Sequence, residues 1–319
     1  MAHQPVPGPG RLMAADTTGA AVQAGLHAAP GAPRPAVPPE QRRRARRRRD
    51  RGWWLLRLTA AVAVSLVLLF PLYWMVVVSL SSRAELLGGQ LRLWPRELTL
   101  ANFQRVLDGF PVLTWFGNSV AIALVTSLLT VTVSMLAGYA FAHLRFRGSG
   151  ALFLLSLSTL MIPVQVIMVS LFRIVTSTGL YGTYWAVILP TAASAFGVFL
   201  ARQFMLTIPR ELIEAARIDG AGHWRVFRSI VLPLSRPLLA VLFFMSLLQT
   251  WNDFAWPLIA LRENELFTLP IGLLFLQGQF GADYGATMAF ALINVTPMVV
   301  LFLVFQRYFV QGFARSGIR

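Results

Sequence analysis

PRELIEAARIDGAGHWRVFRSIVLP, from Pro209 to Pro233, is the longest arginine-bearing insert between the apolar runs of the chain's second half. Its local pattern predicts two short helices with a bend between them. Pro209 suits a first helical turn, where its missing N–H costs nothing, and Glu211 favours the positive end of that helix. Leu212, Ala215, Ala216 and Ile218 give one small apolar face, with Glu214 and Arg217 polar. Gly220 follows as a C-terminal cap, because glycine reaches a left-handed conformation without strain. Beyond Gly222, Trp224, Phe227 and Ile230 or Val231 recur at helical spacing. Leu232 then meets Pro233, which disfavours continuing the helix.

The surroundings of this insert are those of a membrane protein. Of 319 residues, 56 % are hydrophobic and 13 % charged, with mean hydropathy +0.63, and the apolar share is gathered into long runs. Six runs are expected to span a bilayer: Leu58 to Leu80, then about Phe116 to Phe141, Leu152 to Phe172, Trp185 to Ala201, Pro237 to Ile259 (interrupted by Asp253), and Ala286 to Phe305. Trp53 and Trp54, Trp115, Tyr184 with Trp185, and Trp256 mark run edges, where amphipathic rings favour the headgroup level. Pro71, Pro163, Pro190, Pro257 and Pro297 fall inside runs, as kinks that a packed bundle tolerates.

Charge decides the orientation. All the basic residues are arginine, and eight of them stand in Arg42 to Arg51, directly before the first run. In that position a basic block holds the cytoplasmic end of a membrane helix rather than a nucleic acid. With the N-terminus inside, twenty arginines fall on the inner side and six on the outer. Both termini and the Pro209 to Pro233 insert are therefore expected in the cytoplasm. Residues 1 to 41, rich in Ala, Pro and Gly, are expected to be disordered.

Catalysis finds no support in the sequence. The absence of cysteine removes disulfides and thiolate chemistry. The absence of lysine removes a Walker A site, so ATP is not expected to bind this chain in that way. His3, His27, His143 and His223 form no cluster with acidic residues at metal-ligand spacing, and no G-x-S-x-G occurs.

Within the insert, Glu214-Ala215-Ala216, Gly220, Ile230 and Leu232-Pro233 form the full EAA---G---------I-LP pattern. Seven specified positions make an accidental match rarer than about one in ten million per start position, at ordinary residue usage. The pattern resembles the cytoplasmic loop of membrane-spanning subunits of ABC importers. Asn102-Phe103, Trp115 to Ser119 (WFGNS), Ala137 to Gly148 (AGYAFAHLRFRG), Met161 to Val166 (MIPVQV), Trp251 to Leu258 (WNDFAWPL) and Gln306 to Phe313 (QRYFVQGF) narrow the likeness to carbohydrate-uptake permeases, closest to the second permease of maltose-type sugar importers. The closing Ala314 to Arg319 departs from the family's usual small-residue and lysine tail.

The resemblance implies an all-α membrane protein with six transmembrane helices, in the type I importer permease fold of a bacterial cell membrane. The similarity covers roughly residues 55 to 315, with a permease domain expected over 53–319 and its core at about 113–308. The disordered, Arg-rich cytoplasmic tail expected over 1–52 is an addition to the family pattern. The coupling loop would be carried by Glu214, Ala215, Ala216, Asp219, Gly220, Leu232 and Pro233. No cofactor is expected in this subunit, since ATP and magnesium belong to a partner ATPase. The implied partners are a second, different permease, two copies of the ATPase, an external solute-binding protein and membrane lipid. Gln165, Asn252, Asp253 and Asn294 are the candidate pathway residues, as polar groups inside apolar runs. A non-sugar solute such as glycerol phosphate is the alternative cargo. A secondary transporter without ATPase is disfavoured, because Asp253 is the lone acidic candidate and stands off-centre in its run.

Overall fold

The computed structural model describes residues 39–88, 92–280 and 283–316, and among these every regular element is helical. The chain forms two compact units, residues 1–68 and 69–319. Helix α1 (Pro39–Leu80) starts inside the stretch expected to be a disordered tail. Arginine and alanine are good helix formers, and a helix already nucleated in the following span extends at little extra cost. The disorder expected for residues 1–38 lies outside the described residues.

In the second unit α1 is followed by α2 (Arg83–Leu87), α3 (Ala101–Gly109), α4 (Val112–His143), α5 (Ser149–Ser158), α6 (Val164–Ser177), α7 (Tyr184–Thr191) and α8 (Ala195–Met205). Then come α9 (Arg210–Ile218), α10 (His223–Val226), α11 (Leu232–Leu234), α12 (Arg236–Trp251), α13 (Ala255–Ala260), α14 (Leu269–Phe280) and α15 (Tyr284–Ser316).

Three stretches are long and apolar enough to cross a bilayer: Trp53–Leu80 in α1, Val112–His143 (the whole of α4) and Tyr284–Gln306 in α15. The third and fourth expected spans are bent pairs, while the remaining pair, His223–Leu234 with Arg236–Trp251, overlaps the fifth expected run only from Pro237 on. Six spans therefore result only if each pair counts as one. The segment from α5 to Met161 meets α6 at 106°. There Ile162 and Pro163 are extended, and proline disfavours helix in the residue before it. Helices α7 and α8 meet at 41° across Ala192 to Ser194, where the Ser194 hydroxyl accepts the Gly197 N–H at 3.1 Å. The segment His223–Leu234 meets α12 at 78° around the buried Ser235, with prolines at 233 and 237. The fifth run is interrupted at residues 252–254, and α13 resumes it. Helix α14 was not among the expected elements; at 12 residues it extends about 18 Å, too short to cross.

Side-chain donors tie these elements to backbone carbonyls that would otherwise go unpaired in a dry environment. Asn102 Nδ2 donates to the carbonyls of Ser79 and Ser81 at 2.9 and 2.8 Å, closing the end of α1. The WFGNS stretch grips the segment before α14. Trp115 Nε1 donates to the Asn264 carbonyl at 2.7 Å, and Asn118 Nδ2 to those of Glu265 and Phe267. Ser119 Oγ accepts the Leu269 N–H at 2.9 Å. Tyr184 donates to Asn118 Oδ1, and Trp256 Nε1 to the Ala186 carbonyl.

One ion pair joins α3 to the start of α15: Arg105 lies 2.5 Å from Asp283, whose carboxylate also accepts the Ala286 N–H. Asp283 is buried while Arg105 is part-exposed. Asp283→Ala therefore loses both the pair and the cap, an expected loss of roughly 1–3 kcal/mol. Arg105→Gln, leaving the cap in place, should cost less. Thermal unfolding of both variants in detergent reads the order, which equal losses would contradict.

Candidate functional site

The residues from Pro209 to Ser235 build an elbow on the ends of α4, α8 and α12. Helix α9 starts after Pro209, held extended at φ −55° and ψ 130°. It ends with two bonds that satisfy its last carbonyls: Gly220 N–H to Arg217 at 3.0 Å and Ala221 N–H to Ala216 at 2.9 Å. Gly220 takes φ +81°, the left-handed conformation expected of it. Ala216 and Ala221 pack against the core at the same turn. Beyond the turn, the Arg217 guanidinium lies 3.0 Å from His223 Nδ1, joining α9 to α10.

The inward face of the elbow is apolar. Ile213, Val226, Phe227 and Val231 are buried with Met135 and Tyr139 of α4, Met205 of α8, and Leu238 and Leu242 of α12. Tyr139 donates to the His223 carbonyl at 3.2 Å and its ring lies 5.2 Å from that of Phe227. Against the sequence expectation, the helix does not stop at Pro233. Residues Phe227–Val231 widen into a π-helical turn that runs on into α11, with Leu232 and Pro233 in its first turn. Such a turn absorbs an irregularity that a regular α-helix would not, and Pro233 stands where an N–H is dispensable.

The single apolar face expected on α9 divides between two directions. Ile213, unassigned in the sequence reading, is the buried residue of this helix, and Ala216 is half-buried beside it. Leu212, Ala215 and Ile218 face away, Ile218 with 87 % of its surface exposed. Glu214, Asp219 and Gly220 are exposed with them. Trp224, stacked on Phe227, is also 65 % exposed. The elbow thus presents an apolar outer face on a rigidly seated helix. Such a surface marks a contact with another protein or with the membrane.

The four polar residues of the apolar runs are dispersed. Asn252 is exposed and donates to the Leu248 carbonyl at 2.8 Å, closing α12. Asp253 is half-buried, and its carboxylate accepts the Trp256 N–H that opens α13. Asn294 lies in α15, its backbone carbonyl accepting Trp251 Nε1 at 3.1 Å while its buried side-chain oxygen has no partner. Trp251 thereby sets the α12–α13 break beside Asn294. Gln165 is exposed in the first turn of α6, with no described hydrogen bond to the other three. Among the described residues no group of three or more His, Cys, Asp or Glu could hold a metal ion.

Residues 130–315 match the family described as binding-protein-dependent transport system inner membrane component. The arabinooligosaccharides transport system permease protein of Halalkalibacterium halodurans is 40 % identical over 80 % of this chain and 93 % of its own length. The lactose transport system permease protein of Rhizobium radiobacter is 34 % identical over 78 % of this chain and 90 % of its own. The sn-glycerol-3-phosphate transport system permease protein of Escherichia coli is also 34 % identical, over 78 % and 92 %. Among solved structures, a chain of a bacterial ABC transporter involved in import of the acidic polysaccharide alginate superposes with a TM-score of 0.71. It is 24 % identical and covers 82 % of this chain and 98 % of its own, so that likeness concerns the fold.

Proposed function

Because the chain belongs to the family of binding-protein-dependent transport system inner membrane components, and is a transport subunit rather than an enzyme, we propose that it imports a sugar or oligosaccharide as one permease of an ATP-driven complex. A second, different permease completes the pathway, two copies of a cytoplasmic ATPase bind Mg-ATP, and an external binding protein delivers the solute. The arabinooligosaccharide and lactose relatives support a saccharide cargo. A phosphorylated glycerol is the second reading, carried by the glycerol-3-phosphate relative, which is as similar as the lactose one.

The observation that carries the mechanism is the two-sided elbow. Its outer face (Leu212, Ala215 and Ile218, with Glu214 beside them) docks on the ATPase, and Gly220 allows the chain to turn back. The inner face, through Ile213, Val226, Phe227 and Val231, is packed into the ends of α4, α8 and α12. Closure of the ATPase dimer around ATP pushes α9, and close packing passes the displacement to all three helices at once. A flexible loop would absorb that push. The arginine asymmetry supports a cytoplasmic elbow and cytoplasmic termini.

The chain's lack of cysteine makes the test clean. Ala215→Cys, in the complete transporter, is expected to crosslink to the ATPase subunit and to resist membrane-impermeant thiol reagents in intact cells. Ile218→Asp should reduce ATPase copurification about tenfold or more while leaving the permease in the membrane, since a charge desolvated at an apolar contact is costly. Labelling of Ala215→Cys from outside the cell would overturn both the orientation and the docking.

A further inference from the structure

Between the turn joining α3 to α4, the loop after α13 and helix α14 lies a cavity of about 710 Å³. Small-molecule sites generally fall between roughly 300 and 1,000 Å³. Aromatic rings supply much of its wall: Phe110, Phe267 and Phe275, with the buried Trp115 behind them. Phe267 and Phe275 stack at a centroid distance of 5.0 Å and an interplanar angle of 19°. Phe275 remains 44 % exposed, so part of its ring is open to a ligand.

Arg262 lines the same cavity. It is exposed and makes no hydrogen bond or ion pair among the described residues, although Glu263 and Glu265 are close in sequence. Arg105, by contrast, is committed to Asp283. Flat apolar faces beside an uncommitted fork of donors match the two sides of a sugar. The C–H face of a sugar ring lies against an aromatic face, while its hydroxyl or carboxylate oxygens accept from a guanidinium. An acyl chain would leave the donors of Arg262 unused, and a small inorganic anion would leave the rings unused. The cavity wall is also pre-formed, because Trp115, Asn118 and Ser119 fasten the segment from Asn264 to Leu269 to α4. Little ordering is left for a ligand to impose.

We propose that this cavity is a saccharide subsite, in which Phe275 stacks on a sugar unit of the cargo and Arg262 bonds its oxygens. It rests on the saccharide reading above, and the arginine asymmetry would set it on the outer side, where cargo arrives.

Saturation-transfer-difference NMR on the purified full chain tests it, with lactose and arabinotriose as probes. Arg262→Gln and Phe275→Ala alter exposed side chains and are compared with the parent. At least one probe should give ring-proton signals with the parent, weakened about fivefold or more in each variant. In the complete transporter, both variants should raise KM for uptake of that probe several-fold with kcat little changed. Equal signals from parent and variants would overturn the subsite. So would silence from a probe that the complete transporter imports, or loss of binding-protein association with the probe signals intact. A complete transporter that imports glycerol 3-phosphate and no saccharide removes the premise instead, an outcome that uptake alone identifies.

Discussion

Gly220→Val leaves the chain in the membrane and uncouples it: association with the ATPase, or cargo-stimulated ATP hydrolysis, falls about 5- to 30-fold. The reason is conformational rather than steric. Gly220 stands at φ +81°, and a Cβ built there meets nothing within 4 Å. Space is available, but an L-residue in the left-handed region costs about 1–2 kcal/mol, and a β-branched one more. That strain falls on the two bonds that close α9, from Gly220 to Arg217 and from Ala221 to Ala216. It does not fall on the bundle, so expression and thermal stability should change little. A substitution series separates this account from a contact at Gly220 itself. Asparagine tolerates the left-handed region better than other non-glycine residues. Coupling should therefore decline in the order Gly220, Gly220→Asn, Gly220→Ala, Gly220→Val. Normal transport by the valine variant would remove the elbow from the mechanism. An asparagine variant as damaged as the valine one would show that the turn's conformation is not what matters.

The elbow was legible because its signals are local. A proline start, a glycine stop and helical spacing survive in one dimension, and so does the bend at Gly220. Which side of α9 faces inward was not legible, because Leu212, Ile213, Ala215, Ala216 and Ile218 offer two apolar faces and the choice depends on what α4, α8 and α12 present. The apolar runs were found by length, yet the third and fourth bend, by 106° and 41°, and a 78° bend precedes the fifth. Pro163 marked one bend; the bend around Ser235 needed two flanking prolines and a buried serine to be read together. Helix α14 escaped notice because it is short and packs against α4 and α15, which are distant in sequence or follow it. The family-like stretches gain a physical reason from the structure. Asn102, Trp115, Asn118, Ser119, Tyr139, Trp251 and Trp256 each bond a backbone group of a distant segment. No local periodicity announces such a tie. The polar candidates fared differently again: Asn252 and Asp253 close one helix and open the next, work that any polar residue at a helix break performs.

The largest expected loss of stability lies in the seam between α4 and α8, whose Gly138 stands inside the family-like stretch Ala137 to Gly148. These helices approach through two pairs of small residues spaced four apart, Ser134 and Gly138 on α4 against Gly197 and Ala201 on α8. Small residues let membrane helices come close enough for dispersion to hold them where lipid offers no hydrophobic drive. A Cβ at Gly138 would fall on the Ala201 Cβ and within about 3 Å of the Arg202 backbone nitrogen. Backbone is the neighbour least able to yield. Gly138→Ala should therefore cost roughly 1–3 kcal/mol, and Gly138→Leu enough to prevent accumulation of folded protein. Because Met205, at the end of α8, is buried in the same cluster as Ile213 of α9, the milder variant should also loosen the support of α9 and lower coupling. The clash at Gly138→Ala is mainly between two methyl groups, so the swap Gly138→Ala with Ala201→Gly should recover part of the lost stability. The Arg202 backbone contact should keep the recovery incomplete. Thermal unfolding in detergent, read beside ATPase copurification, distinguishes the outcomes. Full stability in Gly138→Ala would mean the helices stand further apart than this packing requires, and no gain in the swap would place the damage elsewhere than the Ala201 methyl.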